Sequence, residues 1–193
     1  MNNIVILSGS PSENSRTGHV LEYIGRLLEA RSCSVTHLSV RDVPHEDLFL
    51  GRFESRPAKS IVEHIENAHG VVVGSPVYKA AYSGVLKALI DFFPQDALEH
   101  TPVLPVMIGG SGSHLLAMEY TLKPLLANLK GQNLKGLYFL DNQVDRELAR
   151  PIIDERLLER TRNQLDYFVD KAGHARHVLA AAGRRQVVLQ EAV

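Results

Sequence analysis

IVILSGSPSENSRTGHVLEYI, residues 4–24, joins an apolar run, a polar connection and the start of an amphipathic pattern. Ile4–Leu7 is four apolar residues in a row, as in a strand buried on both faces. From Gly18 onward Val20, Leu21, Ile24, Leu27 and Leu28 recur at helical spacing, which predicts a helix over Gly18–Ala30. A strand entering a helix needs only about two or three linking residues. Here the link is longer, rich in Ser, Gly, Pro and Asn, and carries Arg16. A strand, a polar loop and a helix in this order form the first unit of an α/β sheet.

The alternation continues along the chain. Ser34–Val40 reads as a second strand, and 41–57, with Pro44, Gly51 and Pro57, as a long irregular loop. Ala58–Ala68 is a predicted helix, and Gly70–Gly74 (GVVVG) a buried third strand. A helix over 80–93 is stopped by Pro94. Val103–Ile108 is a fourth strand, followed by GGSGSH and a helix through Leu129. Leu134–Leu140 is a fifth strand, and 148–182 is helical. Five strand–helix units predict an α/β three-layer sandwich: a five-stranded parallel sheet with helices on both faces, in the flavodoxin-like order 2-1-3-4-5. Residues 1–180 are read as one domain, and 181–193 as a loose or partner-bound tail.

Composition excludes several classes. The 193 residues are 45% hydrophobic and 22% charged with a net charge of −1, so there is no basic footprint for nucleic acid or for anionic lipid. The single cysteine, Cys33, excludes an intrachain disulfide. No apolar stretch approaches the ~20 residues that cross a bilayer, and the start shows no targeting pattern, so a cytoplasmic location is expected. His174 and His177 share a helix face without a third ligand, so no metal site is expected.

Ligands of open α/β sheets bind beyond the carboxyl ends of the central strands. Three loops there are conspicuous: SGSPSENSRTG after strand one, SPVYKAAYSG (75–84) after strand three, and GGSGSH (109–114) after strand four. In the first, Ser8, Ser10, Ser15 and Thr17 offer hydroxyls, Arg16 offers a guanidinium, and the helix start offers free N–H groups. It is neither the G-x-x-x-x-G-K-S/T phosphate loop nor G-x-G-x-x-G. In the second, Pro76 directs the strand exit, Tyr78 and Tyr82 supply aromatic edges, and Gly84 permits close approach. The alternatives are a capping loop, core packing and a plain turn. Convergence of all three loops favours one shared ligand.

GSPSENSRTGHVLEYI, SPVYKAAYSGVLKALIDFFP and GGSGSHLLAMEYTLKPLLANLKG resemble the NAD(P)H-dependent FMN reductases of two-component alkanesulfonate monooxygenase systems, the SsuE/MsuE type. The likeness spans about residues 3–145. It implies FMN at the strand-end crevice, with the phosphate at Ser8, Ser10, Ser15, Arg16 and Thr17. The ring would lie against Pro76, Val77, Tyr78 and Lys79, and against Gly109, Gly110, Ser111 and His114. It further implies a dimer or tetramer, with Tyr82, Ser83 and Gly84 close to the neighbouring subunit and a π-bulge at Tyr120.

The implied reaction moves a hydride from NADPH or NADH to FMN, with no catalytic side chain, and supplies reduced FMN to a monooxygenase that desulfonates organosulfonates. The sequence leaves open a quinone or azo reductase that retains its FMN, and a flavodoxin-like electron carrier. The near-neutral charge disfavours the carrier, whose docking surface would be strongly acidic.

Overall fold

The computed structural model describes residues 1–191, and the side chains of residues 1–175. In chain order the elements are β1 (Asn2–Ser8), α1 (Arg16–Glu29), β2 (Cys33–Ser39), α2 (His45–Leu50), α3 (Arg56–Glu66), β3 (Gly70–Pro76) and α4 (Gly84–Ile90). There follow β4 (Pro102–Gly109), α5 (Leu115–Ala117), a π-helical turn (Met118–Leu122), α6 (Lys123–Asn128), β5 (Gln132–Asn133), β6 (Leu137–Leu140) and α7 (Glu155–Glu191). The pairings are parallel in the order β2-β1-β3-β4, with β5 and β6 sharing the outer edge of β4. This is the predicted flavodoxin-like order with its last strand in two pieces.

The break has a backbone cause. Asn133 pairs with Val103 and Leu137 with Val106, so four steps on the edge match three on β4. Leu134 N–H donates to the Val103 carbonyl at 2.8 Å, which turns residues 103, 105 and 107 toward that edge, because alternate residues of a strand address the same neighbour. Pro105 stands in that row with no N–H to give. Gly136 accommodates the extra residue at φ +82°.

Strand side chains alternate between two cores. Ile4, Ile6, Val72, Leu104 and Val106 meet Val20, Leu21, Ile24 and Leu28 of α1 and Leu165 and Phe168 of α7. Val5, Leu7, Val71, Val73 and Met107 meet Ile61 and Ile65 of α3, Leu86 and Leu89 of α4, and Leu122 and Leu126. Both helical layers therefore hold the central strands rigid up to their carboxyl ends.

Four boundaries depart from the sequence reading. The stretch 41–57 is not irregular throughout. Ser39 and Asp42 cap a 3-10 turn, and α2 comes next, ending at Gly51 with φ +59°. Only Leu48 of α2 is buried, too thin an apolar stripe to read. The helix placed at 80–93 shortens to α4, because residues 78–81 fold into a tight turn and Ser83 caps the helix proper. The helix expected from 148 starts at Glu155, since Val144 and Ile152 pair across the intervening loop. It also runs on to Glu191, past the start of the proposed tail. Residues 192–193, and the side chains of 176–193 with His177 among them, lie outside the described residues.

Phe168 fastens α7 to the sheet: it is fully buried, and a Cβ on Gly70 of β3 would stand 2.8 Å from its ring. Phe168→Ala should cost about 3–5 kcal/mol, read as a lowered urea midpoint at unchanged m-value. His37 of β2 packs against Gly25 of α1. His37 is exposed as a residue, and desolvation of the part of its ring that faces α1 pushes the imidazole below the usual range, against a weaker upward pull from Glu22 and Glu29. The unfolded chain then binds more protons than the folded one below about pH 6.5. This contribution to stability is therefore complete above that pH and is lost as the pH falls through the folded pKa. Urea unfolding at pH 7.5 and 5.5 should show a decline that His37→Gln reduces, and equal declines in both proteins would clear His37 of the effect.

Candidate functional site

The first loop is tied to the second through one glycine. Gly9 N–H donates to the Gly74 carbonyl at 2.7 Å, and Ser83 Oγ donates to the Gly9 carbonyl at 2.5 Å. Ser83 N–H in turn donates to Ser75 Oγ at 2.9 Å, and Leu86 N–H to Ser83 Oγ at 3.2 Å, which caps α4. A Cβ on Gly9 would meet Leu86 Cβ at 2.9 Å and the Gly74 carbonyl at 3.1 Å, so the approach requires glycine. Beyond it Ser10 is buried, Ser12 N–H donates to Ser10 Oγ at 3.3 Å, and Ser15 caps α1 by accepting from Gly18 N–H at 3.0 Å.

The second loop is a two-residue hairpin. Tyr78 and Ala81 exchange backbone hydrogen bonds of 2.9 and 3.1 Å, with Lys79 and Ala80 at φ +50° and +60°. Such turns ordinarily use Asn or Gly, so this one holds two side-chain-bearing residues in a strained region. It projects Tyr78, 49% exposed, at the end of β3. The third loop is anchored by Tyr138, whose hydroxyl donates to the Ser111 carbonyl at 2.7 Å. Burial, and then Asp141, push the Tyr138 phenol up, so it remains a donor at neutral pH. A Cβ on Gly109 would lie 2.5 Å from that hydroxyl and 3.1 Å from Val77 Cβ.

Between the loops lies a cleft of about 290 Å³. Ser10, Ser15, Arg16 and Thr17 line one wall, Pro76, Val77 and Tyr78 another, and Gly109 and Gly110 a third. Ser12, Asn14, Asp141 and Arg146 also line it and are absent from the sequence reading. Asp141 and Arg146 come after the fifth strand, so the strand-end rule reaches them, but no glycine or hydroxyl cluster marks the place. Lys79 and His114 line an adjoining hollow that shares Val77 and Tyr78 with the cleft. Ser8 faces an adjoining cavity with His37 and Arg41 that shares Ser12 and Ser15 with the cleft, and its Oγ accepts from Ser10 N–H at 3.4 Å. Ser111 acts through its carbonyl to Tyr138, and its Oγ accepts from Ser113 N–H at 3.2 Å.

Arg16 Nε is buried without a hydrogen-bond partner. A buried unpaired donor costs about 1–3 kcal/mol, and an anion in the cleft would satisfy it. Arg16 and Thr17 are also the first two residues of α1, where helix N–H groups lack intrahelical partners. The donor set fits the phosphate ester of FMN, and the two side-chain-free glycines opposite suit a flat ring.

The remaining candidate residues lie outside the cleft. Tyr82 is half-buried against the core of α4, Ser83 is fully buried within the subunit, and Gly84 is exposed with open space around its Cβ position. Tyr120 sits mid-way in the π-helical turn at 75% exposure. No group of three or more His, Cys, Asp or Glu able to hold a metal occurs among the described residues, and no helix there is long and apolar enough to cross a membrane.

The model of the family described as NADPH-dependent FMN reductase matches residues 2–145. An FMN reductase (NADPH) of Pseudomonas putida is 42% identical, over 86% of this chain and 85% of its own length. Its Escherichia coli namesake is 40% identical, over 86% and 87%. The NADH-dependent FMN reductase SfnF of Pseudomonas putida is 32% identical, over 80% and 86%. Among solved structures, the apo form of the NADH:FMN oxidoreductase EmoB superposes with a TM-score of 0.79 at 34% identity, over 87% of this chain and 88% of that one. With its flavodoxin-like sheet and its three-loop cleft, this chain belongs to the NADPH-dependent FMN reductase family.

Proposed function

We propose that this chain is a cytoplasmic, single-domain (1–180) reductase of the SsuE/MsuE type that takes FMN as a substrate. It releases reduced FMN to a partner monooxygenase acting on organosulfonates, and works as a homotetramer or homodimer. The enzyme class and its use of FMN with NADPH or NADH rest on family membership. The observation that carries the binding mode is the partnerless Arg16 Nε in a cleft that three strand-end loops line together.

FMN, when bound, would supply the chemistry as acceptor of a hydride from the nicotinamide. Arg16, the start of α1 and the hydroxyls of Ser10, Ser15 and Thr17 hold the phosphate. Pro76, Val77 and Tyr78 would wall the ring on one side, with the side-chain-free Gly109 and Gly110 on the other. Hydride transfer needs alignment of two rings rather than a proton relay, which fits a cleft lined by one carboxylate, Asp141, and by no histidine. Lys79 in the adjoining hollow offers positive charge for the phosphates of the dinucleotide, and His114 lines the same hollow. A cleft whose donors are mostly hydroxyls and amides favours exchange of flavin over retention. Subunit contact is assigned to exposed Tyr120 on its π-helical turn and to the surface of Tyr82 and Gly84.

NADPH and NADH oxidation should depend saturably on added FMN, and the protein should leave gel filtration nearly colourless. Stoichiometric flavin retained through filtration, with oxidation independent of added FMN, would put the quinone or azo reductase reading in its place. Gly109→Ala, which drives a methyl into the Tyr138 hydroxyl, should raise the FMN Kd by about tenfold, or about 1.4 kcal/mol, in a fluorescence-quenching titration. An unchanged Kd would remove the third loop from the site.

A further inference from the structure

Arg146 lies one residue past the segment matched by the family model. It stands on a loop between β6 and α7 that is fastened on three sides. At the base, Asp145 N–H donates to the Pro151 carbonyl at 2.8 Å and Ile153 N–H to the Gln143 carbonyl at 3.1 Å, over buried Val144 and Ile152. Gln143 Oε1 accepts from Leu140 N–H at 2.9 Å, and its Nε2 donates to Asp154 Oδ2 at 3.2 Å. On the far side Arg26 Nη2 donates to the Ala149 carbonyl at 2.6 Å. From this fixed loop Arg146 Nη1 reaches the tip of the first loop and donates to the Asn14 carbonyl at 3.0 Å. A guanidinium has five N–H donors, so one such bond leaves the rest of the fork available.

Charge gives that fork a purpose. The charged side chains lining the cleft are Arg16, Asp141 and Arg146. Arg16 and Asp141 cancel within the cleft lining, which leaves Arg146 as its net positive charge; Asp145 and Glu147 line the neighbouring hollow that Arg16, Asp141 and Arg146 also border. A phosphate monoester at pH 7 carries about −1.5 to −2. Arginine is suited to hold such a group with paired N–H bonds.

We propose that Arg146 is a second phosphate-binding guanidinium, paired across the cleft with Arg16, that makes the chain select FMN over riboflavin. This rests on the flavin reading of the cleft. The loop after β6 thereby becomes a fourth wall of the binding site, contributed by sequence outside the three strand-end loops.

The test is fluorescence quenching of FMN and of riboflavin, which lacks the phosphate, by wild type and by Arg146→Ala, Arg146→Lys and Arg150→Ala. Arg150, on the same loop, pairs with Glu155 at 2.7 Å and lines no part of the cleft. Arg146→Ala should weaken FMN binding by about 10- to 100-fold while riboflavin binding and the apoprotein melting temperature hold steady. Arg146→Lys should recover part of the loss, Arg150→Ala should match wild type, and added salt should weaken FMN binding less in Arg146→Ala than in wild type. Equal weakening of both flavins would mean that Arg146 only packs the first loop, and the proposal falls. It falls equally if neither affinity moves, or if only the KM for NADPH rises. Wild type binding FMN no better than riboflavin would overturn the phosphate site itself. A preference present in wild type and undiminished in Arg146→Ala overturns the role of Arg146 alone.

Discussion

The site depends on a single buried hydroxyl. Ser83 donates to the Gly9 carbonyl and accepts from Leu86 N–H, so the same oxygen holds the first loop and starts α4. Ser75 Oγ meets Ser83 N–H from below, and Gly9 N–H reaches back to Gly74. Loss of the hydroxyl would take the Ser83 donor from the buried Gly9 carbonyl, which is costlier than the bond itself is favourable, while Leu86 N–H keeps its 3.1 Å bond to the Ser83 carbonyl. Everything that lines the cleft from Ser10 to Thr17 inherits its position from this junction.

Strand order and the two-faced core were legible because they rest on local pattern. GVVVG reads as a buried strand, and Val20 to Leu28 read as one helical stripe. The three loops were legible because strand ends in a parallel sheet must converge. What the sequence could not display was hidden in tertiary geometry. Pro105 and Leu134 lie 29 residues apart in number, and only pairing brings the missing N–H opposite the break in the last strand. Ser83 was legible as a residue of the motif but not as an inward donor, since its partner Gly9 is 74 positions away. Arg146 carried no local signal: one arginine in a polar stretch looks like surface.

Of the five non-glycine residues with positive φ among those described, Lys79 and Ala80 stand beside the cleft, while Ser32, His100 and Lys130 lie at turns elsewhere. The hairpin at Lys79 and Ala80 holds two non-glycine residues at positive φ, at a cost of order 1–3 kcal/mol each. The structure tolerates this because Val77 is pinned to Ile108 by a 2.8 Å hydrogen bond on one side and Ser83 is buried on the other. The result is a stiff projection bearing Tyr78 rather than a mobile loop. Stiff walls lower the entropy lost when a flat ligand binds.

The π-helical turn at Met118–Leu122 also bears on how this helix can change over generations. Met118, Leu122 and Leu126 all remain against the core while the surplus residue is expelled outward as Tyr120. The turn therefore acts as a register buffer. A single codon could be lost there, letting the coil tighten to 3.6 residues per turn, without dragging β5 or the cleft out of place.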